Sequence, residues 1–455
     1  MQQHTKISEY LTTVCDQIRW KRAHDVLAEE LENHIIDQKN AFIERGMDEQ
    51  TAIDKAIQEM GDPVLIGCEL DNAHRPKTEW SIIILTAVII LIGVILRTFI
   101  THDSGVPSKL GSEIFNIAAG IGCMIVVYFL DFTFIIRNTK KIYAIIVAAM
   151  LILVFTAPTV NGRTPYVQFV ELLIPVVLVG IIYSMRAAGY FGIVICGLAL
   201  VPPVFLGIMS RGLTSVVIVL VSSIALITMA VLKEWFNVKK LKGILFLYIV
   251  TAATAAVSFF VFFFNNAYRI SRLKAFINPF RDAQSVGYME LLIRKLVTGA
   301  KFFGTGDAAI SKGARLPEID TNLLVAYIIH RLGWISFILL LILLSVFIAR
   351  ALIICQKQRS VLGKLMSLSV LTTFALQVVL YIMSNLGFEM FSPLTFPFIS
   401  YSGSSVVVNM ILIGIMLSVV RSGDIVSDNM RQKNAGRKKL FEVIDGKLII
   451  DLNLK

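Results

Sequence analysis

Uninterrupted apolar runs are the feature that most restricts the fold of this chain. Each run holds about twenty residues, enough for one helix to cross roughly 30 Å of hydrocarbon. The runs do not alternate between polar and apolar residues, as strands of a membrane barrel do. Mean hydropathy is +0.73 and 56% of the 455 residues are hydrophobic. The sequence therefore predicts an all-α polytopic membrane protein.

Ten of these runs are interpreted as transmembrane helices. The predicted spans cover residues 81–99, 114–136, 142–160, 169–185, 190–209, 213–232, 243–264, 323–348, 361–383 and 396–420. Pro202 and Pro203 fall inside the fifth run and predict a kink, because proline removes a backbone donor. One large polar loop, 265–321, separates the seventh span from the eighth.

The placement of lysine and arginine predicts the orientation of the spans. Basic residues occur in the second, fourth, sixth and eighth connections and in the tail: Arg137, Lys140, Lys141, Arg186, Lys233, Lys239, Lys240, Lys242, Arg350, Lys357, Arg359, Lys364, Arg431, Lys433, Arg437, Lys438 and Lys439. Short basic loops stay on the cytoplasmic side. Both termini are therefore predicted to be cytoplasmic and the large loop extracytoplasmic. The same pattern explains the formal net charge of +11 without nucleic-acid binding.

The sequence predicts three regions. Residues 1–78 form a small cytoplasmic helical bundle, residues 79–421 the membrane domain, and residues 422–455 a basic cytoplasmic tail. Apolar residues recur at helical spacing from Ile7 to Met60. Gly46 and Asp48 predict a stop and a cap, and Gly61-Asp62-Pro63 predicts the end of the last of three helices. The pattern resembles a helical module that precedes membrane domains in Firmicutes proteins. That resemblance implies that the bundle docks a cytoplasmic partner. A solvated bundle without a partner is an equally weighted alternative.

Two stretches carry motifs that go beyond membrane character. The first contains Gly304-Thr305-Gly306, Leu316-Pro317-Glu318-Ile319-Asp320-Thr321-Asn322 and Leu332-Gly333-Trp334. The second contains Gln377, Asn385-Leu386-Gly387 and the segment Pro397-Phe398-Ile399-Ser400-Tyr401-Ser402-Gly403-Ser404-Ser405. Together they resemble the SEDS family of shape, elongation, division and sporulation proteins, which includes FtsW, RodA and SpoVE. The resemblance covers roughly residues 81–421.

This resemblance implies an inverting peptidoglycan glycosyltransferase at the outer face of the bacterial cytoplasmic membrane. Its substrate would be lipid II, an undecaprenyl-linked precursor, and its partner a transpeptidase of the penicillin-binding class. The chemistry requires a carboxylate to accept a proton from the acceptor hydroxyl, and cations to offset charge on the departing pyrophosphate. The candidate substrate-binding residues are Arg272, Lys274, Arg281, Lys301, Arg315, Ser400, Tyr401, Ser404 and Ser405. Lipid headgroup binding and a solvated loop face are the alternatives for the cations.

The candidate catalytic base departs from the family pattern. Asn322 stands where the family has its catalytic aspartate, and an amide cannot accept the proton. In an extended segment Asp320 and Glu318 would share the face of Asn322 and could substitute, whereas in a helix Asp320 would point elsewhere. His330 and Arg331 stand where the family has two glutamates. Their position near a membrane edge favours interfacial anchors over catalytic groups.

Three functions therefore stay open from the sequence alone. The chain is an active, divergent glycosyltransferase, a catalytically silent scaffold or regulator of wall synthesis, or a transporter of the lipid-linked precursor. No cofactor is identified. The five cysteines lack ligand spacing, and Asp282, Glu290 and Asp307 are scattered without a ligand motif. A divalent metal at the pyrophosphate stays an open alternative.

Overall fold

The computed structural model describes most of the chain, in two compact units. The backbone is described for residues 2–75, 78–104, 110–160, 162–264, 270–271, 274, 278–282, 287–307, 319, 321–388, 392, 394–422, 441–444 and 447–450. Side chains are described in the same ranges except at 2–5, 104, 254–264, 281–282 and 441–450. One unit comprises Met1–Lys77 with Ser422–Lys455, and the other is Thr78–Arg421.

The amino-terminal part of the first unit contains four helices, one more than the sequence predicted. They are Gln2–Gln17, Lys21–Glu44, Glu49–Met60 and Pro63–His74. The predicted cap at Asp48 is confirmed, since its carboxylate accepts a hydrogen bond from the Thr51 amide at 3.0 Å. A helix does end at Met60 with Gly61 as its cap, as predicted. It is not the last helix, because Asp62 caps a further one through the Val64 amide. Pro63 is compatible with that start, since a first-turn residue needs no N–H donor.

The carboxyl-terminal part of this unit holds a short antiparallel ribbon. Strand β1 (Phe441–Ile444) pairs with β2 (Lys447–Ile450), and Phe441 stands opposite Ile450. The hydropathy pattern predicted only a basic tail here.

The second unit confirms the polytopic helical membrane architecture. Within the described residues, nine helical segments are long and apolar enough to cross a membrane. Their helices are Trp80–Ser104, Leu110–Leu130, Thr139–Thr156, Pro165–Glu171 with Ile174–Ser184, Gly189–Leu198 with Val201–Met209, Leu213–Leu232, Trp334–Lys357, Val361–Asn385 and Gly403–Ser422. The helix Lys240–Phe264 stands at the seventh predicted span, so these helices follow the predicted order of ten spans.

The eighth span begins later than the sequence predicted. The apolar run 323–348 contains two helices, Leu324–Leu332, here called the anchor helix, and Trp334–Lys357. Gly333 separates them with φ 90° and ψ 170°, a conformation that is essentially restricted to glycine. A Cβ atom at Gly333 would also lie 2.5 Å from the Phe302 carbonyl oxygen. Hydropathy joins the two helices because both are apolar, whereas the backbone break depends on one glycine.

Three other boundaries follow from local hydrogen bonding. The second span ends at Leu130, because Asp131 takes φ 69° and caps the separate helix Phe132–Arg137. The tenth span begins at Gly403 and not at Phe396, since the Phe396 amide donates to the Ser400 hydroxyl outside any helix. The predicted break in the fifth span is confirmed, with both prolines in the first turn of Val201–Met209.

The rest of the large loop is described in part. It contains a 3-10 turn, Pro279–Asp282, and the helix Tyr288–Thr298. The segment 299–307 then runs beside the anchor helix. The Gly306 amide donates to the His330 carbonyl at 2.7 Å, and the Trp334 amide donates to the Lys301 carbonyl at 3.0 Å. The loop is thereby attached to the start of the eighth span.

We expect Gly333→Ala to destabilise the protein by about 1–3 kcal/mol, because alanine is strained at this φ and meets the Phe302 carbonyl. Gly122→Ala is the matched control, since nothing lies within 4 Å of a Cβ at that helical position. Thermal unfolding of both variants in the same detergent measures the effect. An unchanged midpoint for Gly333→Ala would contradict the steric account of this corner.

Candidate functional site

The candidate site lies at the end of the membrane helices where the large loop joins the seventh and eighth spans. This end is called the loop end. Successive spans run in opposite directions, so the connections after residues 104, 156, 209 and 385 reach the same end. Hydrogen bonds join these connections, including the Thr164 amide to the Ser210 carbonyl at 3.3 Å and the Thr214 amide to the Ser392 hydroxyl at 3.2 Å.

The signature segment 397–405 holds the carboxyl-terminal end of the large loop. The Ser400 hydroxyl donates to the Thr321 carbonyl at 2.6 Å. The Tyr381 hydroxyl donates to the same carbonyl at 3.0 Å. Both side chains are buried, and hydrogen bonds are stronger in such a low-dielectric environment than in water. The backbone at Thr321, one residue after Asp320, is therefore fixed from two directions.

Asn385 fixes the next peptide and the start of the anchor helix. Its amide nitrogen donates to the Asn322 carbonyl at 2.8 Å, and its amide oxygen accepts from the Ala326 amide at 3.1 Å. The first amides of a helix have no partner within the helix. Asn385 supplies such a partner from the ninth span, and so it joins the helix start to the Asn322 peptide.

The signature segment owes its position to close packing and to an unusual backbone conformation. Phe398 is buried with φ 64°, a region that few residues other than glycine adopt. A Cβ at Gly93 would lie 2.8 Å from the Phe398 carbonyl oxygen, so only glycine lets the first span approach this closely. The Phe396 and Tyr381 rings stack at 4.5 Å with an interplanar angle of 5°. These contacts hold Ser400 beside Thr321.

A buried ion pair attaches the same segment to the first two spans. The Arg97 guanidinium lies 2.5 Å from the Glu113 carboxylate, and both side chains are buried. Arg97 also donates to the Gly93 carbonyl at 3.0 Å and to the Ser400 carbonyl at 3.3 Å. A charge at such a position must be paired and hydrogen-bonded. Arg97 thus connects the first span, the second span and the signature segment.

A second ion pair holds the far end of the anchor helix. Arg331 binds both carboxylate oxygens of Asp103, with its Nε at 2.6 Å, and the Tyr327 hydroxyl donates to the same carboxylate. Burial raises the pKa of Tyr327 to about 12, and the hydrogen bond to Asp103 adds to this shift. The same carboxylate raises the pKa of Arg331. Tyr327 therefore stays a hydrogen-bond donor, and Arg331 stays charged, across the physiological pH range.

A third acidic group lies inside the bundle near the loop end. The Glu171 side chain is fully buried, and its Oε2 accepts from the Ser215 hydroxyl at 2.6 Å. A Cβ at Gly207 would lie 2.5 Å from Glu171 Oε1, so the carboxyl group packs directly against that glycine. Across the described part of the chain, Oε1 has no hydrogen-bond partner. Glu171 thus links the fourth, fifth and sixth spans.

Several residues that the sequence proposed for the site lie outside the described residues. These are Glu318, Asp320, Arg272 and Arg315, together with the side chain of Arg281. Asn322 is half-buried. Lys274 is exposed, and Lys301 pairs with Asp307 at 2.6 Å on the surface.

The signature serines have internal partners. Ser400 and Ser405 are both buried, and the carbonyl of Ser405 accepts from the Asn409 side chain at 2.9 Å. Gln377 exchanges two 3.3 Å hydrogen bonds with that same amide. Tyr401 and Ser404 are only half-buried, and the Tyr401 hydroxyl lies 2.9 Å from the Ser112 hydroxyl. In this structure the Ser400 hydroxyl holds the backbone and Ser405 accepts from Asn409 inside the bundle, whereas Tyr401 and Ser404 are only partly covered.

The residues that connect the site across long sequence separations were missed by the sequence reasoning. They are Arg97, Asp103, Glu113 and Tyr381. A signal for the first three exists, because charged residues within or at the edge of an apolar run are rare and usually have a specific role. Their partners could not be read from spacing. Arg97 and Ser400, for example, are separated by 303 residues.

Neither a cofactor nor a metal can be assigned to particular residues. Where side chains are described, no group of three or more His, Cys, Asp or Glu residues is arranged to hold a metal ion.

Comparison with known proteins assigns the membrane unit. The profile of the FtsW, RodA and SpoVE family, described as cell cycle protein, matches residues 76–424. A probable peptidoglycan glycosyltransferase FtsW of Trichlorobacter lovleyi is 28% identical over 182 residues, which are 39% of this chain and 47% of the relative. Stage V sporulation protein E of Bacillus subtilis is 30% identical over 155 residues, 34% of this chain and 42% of the relative. The chain thus spans about half the length of the curated relatives it matches.

Solved structures share the fold at low sequence identity. A chain from a study of structural coordination of polymerization and crosslinking by a peptidoglycan synthase complex superposes with a TM-score of 0.62 at 17% identity. The superposed region covers 76% of this chain and 98% of the chain from that complex. The rod shape determining protein RodA of Thermus thermophilus superposes with a TM-score of 0.52 at 15% identity, over 76% of this chain and 97% of the RodA chain.

We expect Ser400→Ala to loosen the end of the large loop. The Phe396 amide loses its acceptor and the Thr321 carbonyl loses one donor, at a cost of about 1–3 kcal/mol for buried groups left unpaired. Hydrogen exchange of peptides covering 321–330 should become faster. Ser402→Ala, two residues away and half-buried, should leave this exchange unchanged. Equal exchange in both variants would contradict a holding role for Ser400.

We also expect energetic coupling between Asp103 and Arg331. A double-mutant cycle of Asp103→Asn and Arg331→Gln should give about 0.5–3 kcal/mol in unfolding free energy, because the pair is bidentate and half-buried. The exposed pair Lys301 and Asp307, replaced by Gln and Asn, is the matched control. Its coupling should stay below about 1 kcal/mol. A coupling at Asp103 and Arg331 no larger than the control value would show that they do not act as a pair.

Proposed function

The chain belongs to the cell cycle protein family of FtsW, RodA and SpoVE, and we propose that it acts in bacterial cell-wall synthesis, in cell division or cell-shape control. At the loop end it binds lipid II, the undecaprenyl-linked peptidoglycan precursor, and polymerises it as an inverting glycosyltransferase. One observation carries this proposal. Ser400 and Tyr381 both bind the Thr321 carbonyl, which fixes the backbone directly after the candidate base Asp320.

The proposed chemistry needs one base and several cations. The hydroxyl oxygen of the acceptor sugar attacks the anomeric carbon of the donor, whose bond to the lipid pyrophosphate breaks. Asp320, or Glu318 on the same face of an extended segment, accepts the hydroxyl proton. Lys301, Lys274 and the loop arginines Arg272, Arg281 and Arg315 offset the charge that gathers on the pyrophosphate. Arginine suits this role because its guanidinium binds phosphate oxygens in pairs.

A catalytically silent scaffold is the second candidate, and Asn322 favours it. This side chain occupies the position at which the resemblance expects the catalytic aspartate, and its amide cannot act as the base. A silent protein would still bind the precursor or a transpeptidase through the same loop end. Wall synthesis would then be regulated without glycosyl transfer by this chain.

The proposal also covers the location, the orientation and the partners of the protein. The protein lies in the bacterial cytoplasmic membrane, with both termini cytoplasmic and the loop end on the outer face, as the positive-inside rule indicates. Its partner is a transpeptidase of the penicillin-binding class. The amino-terminal helices receive a cytoplasmic partner.

The decisive experiment is incubation of the purified protein with lipid II and a cognate transpeptidase, with glycan chains separated by gel electrophoresis. We expect polymer from the native chain, and its loss in Asp320→Asn or Glu318→Gln, whichever residue is the base. Loss of a general base typically costs about 10²–10⁴-fold in rate. Glu44→Gln, an exposed carboxylate in the amino-terminal unit, is the control and should polymerise normally.

Two other outcomes would replace the proposal. Polymer from Asn322→Asp but none from the native chain would establish the silent scaffold. Movement of lipid II across reconstituted liposomes, without polymer, would instead support the precursor transporter.

A further inference from the structure

Two adjacent phenylalanines are exposed where the large loop meets the eighth span. The Phe302 and Phe303 side chains are 55% and 67% exposed. Their rings contact each other edge-to-face, with centroids 4.7 Å apart. Burying a phenylalanine is strongly favourable in water, so an exposed aromatic pair on a fixed backbone is suited to contact with lipid or another apolar surface.

The backbone of this pair caps the eighth span. The Trp334 amide donates to the Lys301 carbonyl at 3.0 Å, and the Ile335 amide donates to the Phe302 carbonyl at 3.2 Å. The first amides of a helix point out of its amino-terminal end. Residues 301 and 302 therefore lie directly beyond the first turn of the span, and Phe303 follows them.

The length of the eighth span shows where this cap lies relative to the hydrocarbon. Its apolar part runs from Trp334 to Ala349, because Arg350 is charged and exposed. Sixteen helical residues extend about 24 Å at 1.5 Å each. The hydrocarbon core is about 30 Å thick. The uncharged part of the span is thus about 6 Å shorter than the hydrocarbon core, although the helix itself continues to Lys357. Phe302 and Phe303 extend its apolar surface at the loop end.

The span also shows which of its sides faces lipid. Leu339, Ile342 and Val346 lie on one helical stripe with Ile335 and are 62%, 55% and 45% exposed. Ile335 is the residue whose amide binds Phe302. The Phe302 carbonyl therefore lies at the loop-end start of this exposed apolar stripe.

We propose that Phe302 and Phe303 insert into the bilayer at the loop end and extend the lipid-facing surface of the eighth span. Gly304, with φ 76°, then turns the chain away. The ion pair of Lys301 with Asp307 lies beside the pair at headgroup level. The large loop is consequently seated in the membrane surface at this point. This contact is independent of any catalytic activity.

The test uses tryptophan as a depth probe in the full-length protein. Phe302→Trp and Phe303→Trp variants are reconstituted in vesicles of phosphatidylcholine, with or without bromine on the acyl chains. The signal of the parent protein, with its four native tryptophans, is subtracted. Leu339→Trp serves as the lipid-facing reference. Thr305→Trp, exposed in the same loop beyond Gly304, serves as the water-facing reference.

We expect brominated lipid to quench both phenylalanine replacements nearly as strongly as Leu339→Trp, while aqueous iodide quenches only Thr305→Trp. Quenching by iodide and not by brominated lipid would place the pair in water and overturn the proposal. Protection from both quenchers would show a protein partner over the pair, which also overturns it. An unchanged parent-like thermal midpoint for each variant confirms that the fold is retained during the measurement.

Discussion

A guanidinium inside a membrane bundle is costly unless it is paired and hydrogen-bonded, and Arg97 meets that requirement at the loop end. Its partners are the Glu113 carboxylate, the Gly93 carbonyl and the Ser400 carbonyl. Through its hydroxyl, Ser400 then binds Thr321. One continuous set of polar contacts thus runs from the first two spans to the loop. Loss of a single partner would leave a buried charge, which is far more costly than loss of the whole pair.

The same requirement explains why irregular backbone can exist at this depth. Non-helical segments inside a membrane protein persist only where other protein groups satisfy their carbonyls and amides. The signature segment meets this condition with side chains from neighbouring helices, and the left-handed Phe398 is held by tight packing on Gly93. Its buried serines therefore have a structural task. A polar motif can thus set the geometry of a site through its internal hydrogen bonds.

Most of the fold follows from hydropathy, whereas most of the site does not. Each of the ten apolar runs is helical, although several are divided into two helices, because an isolated backbone in lipid must satisfy its own hydrogen bonds. Where the prediction of the eighth span was wrong, one glycine, Gly333, interrupted an apolar run that hydropathy cannot divide. The pairing of Asp103 with Arg331 and of Arg97 with Ser400 depends on how distant spans pack. No local pattern encodes such partners.

The anchor helix has a consequence for how proteins of this shape can diverge. It is tied to the ninth span through Asn385 and to the first span through Asp103, so its position depends little on the chain that precedes it. The entropic cost of closing a flexible loop rises slowly with its length, by about 0.6 kcal/mol for each doubling. Insertions or deletions in the loop outside 299–307, whose backbone binds the anchor helix and the eighth span, can therefore accumulate while the clamped end stays in register. The outer surface of the loop, and with it the choice of partner, can therefore change while the anchor helix and the spans that hold it keep their positions.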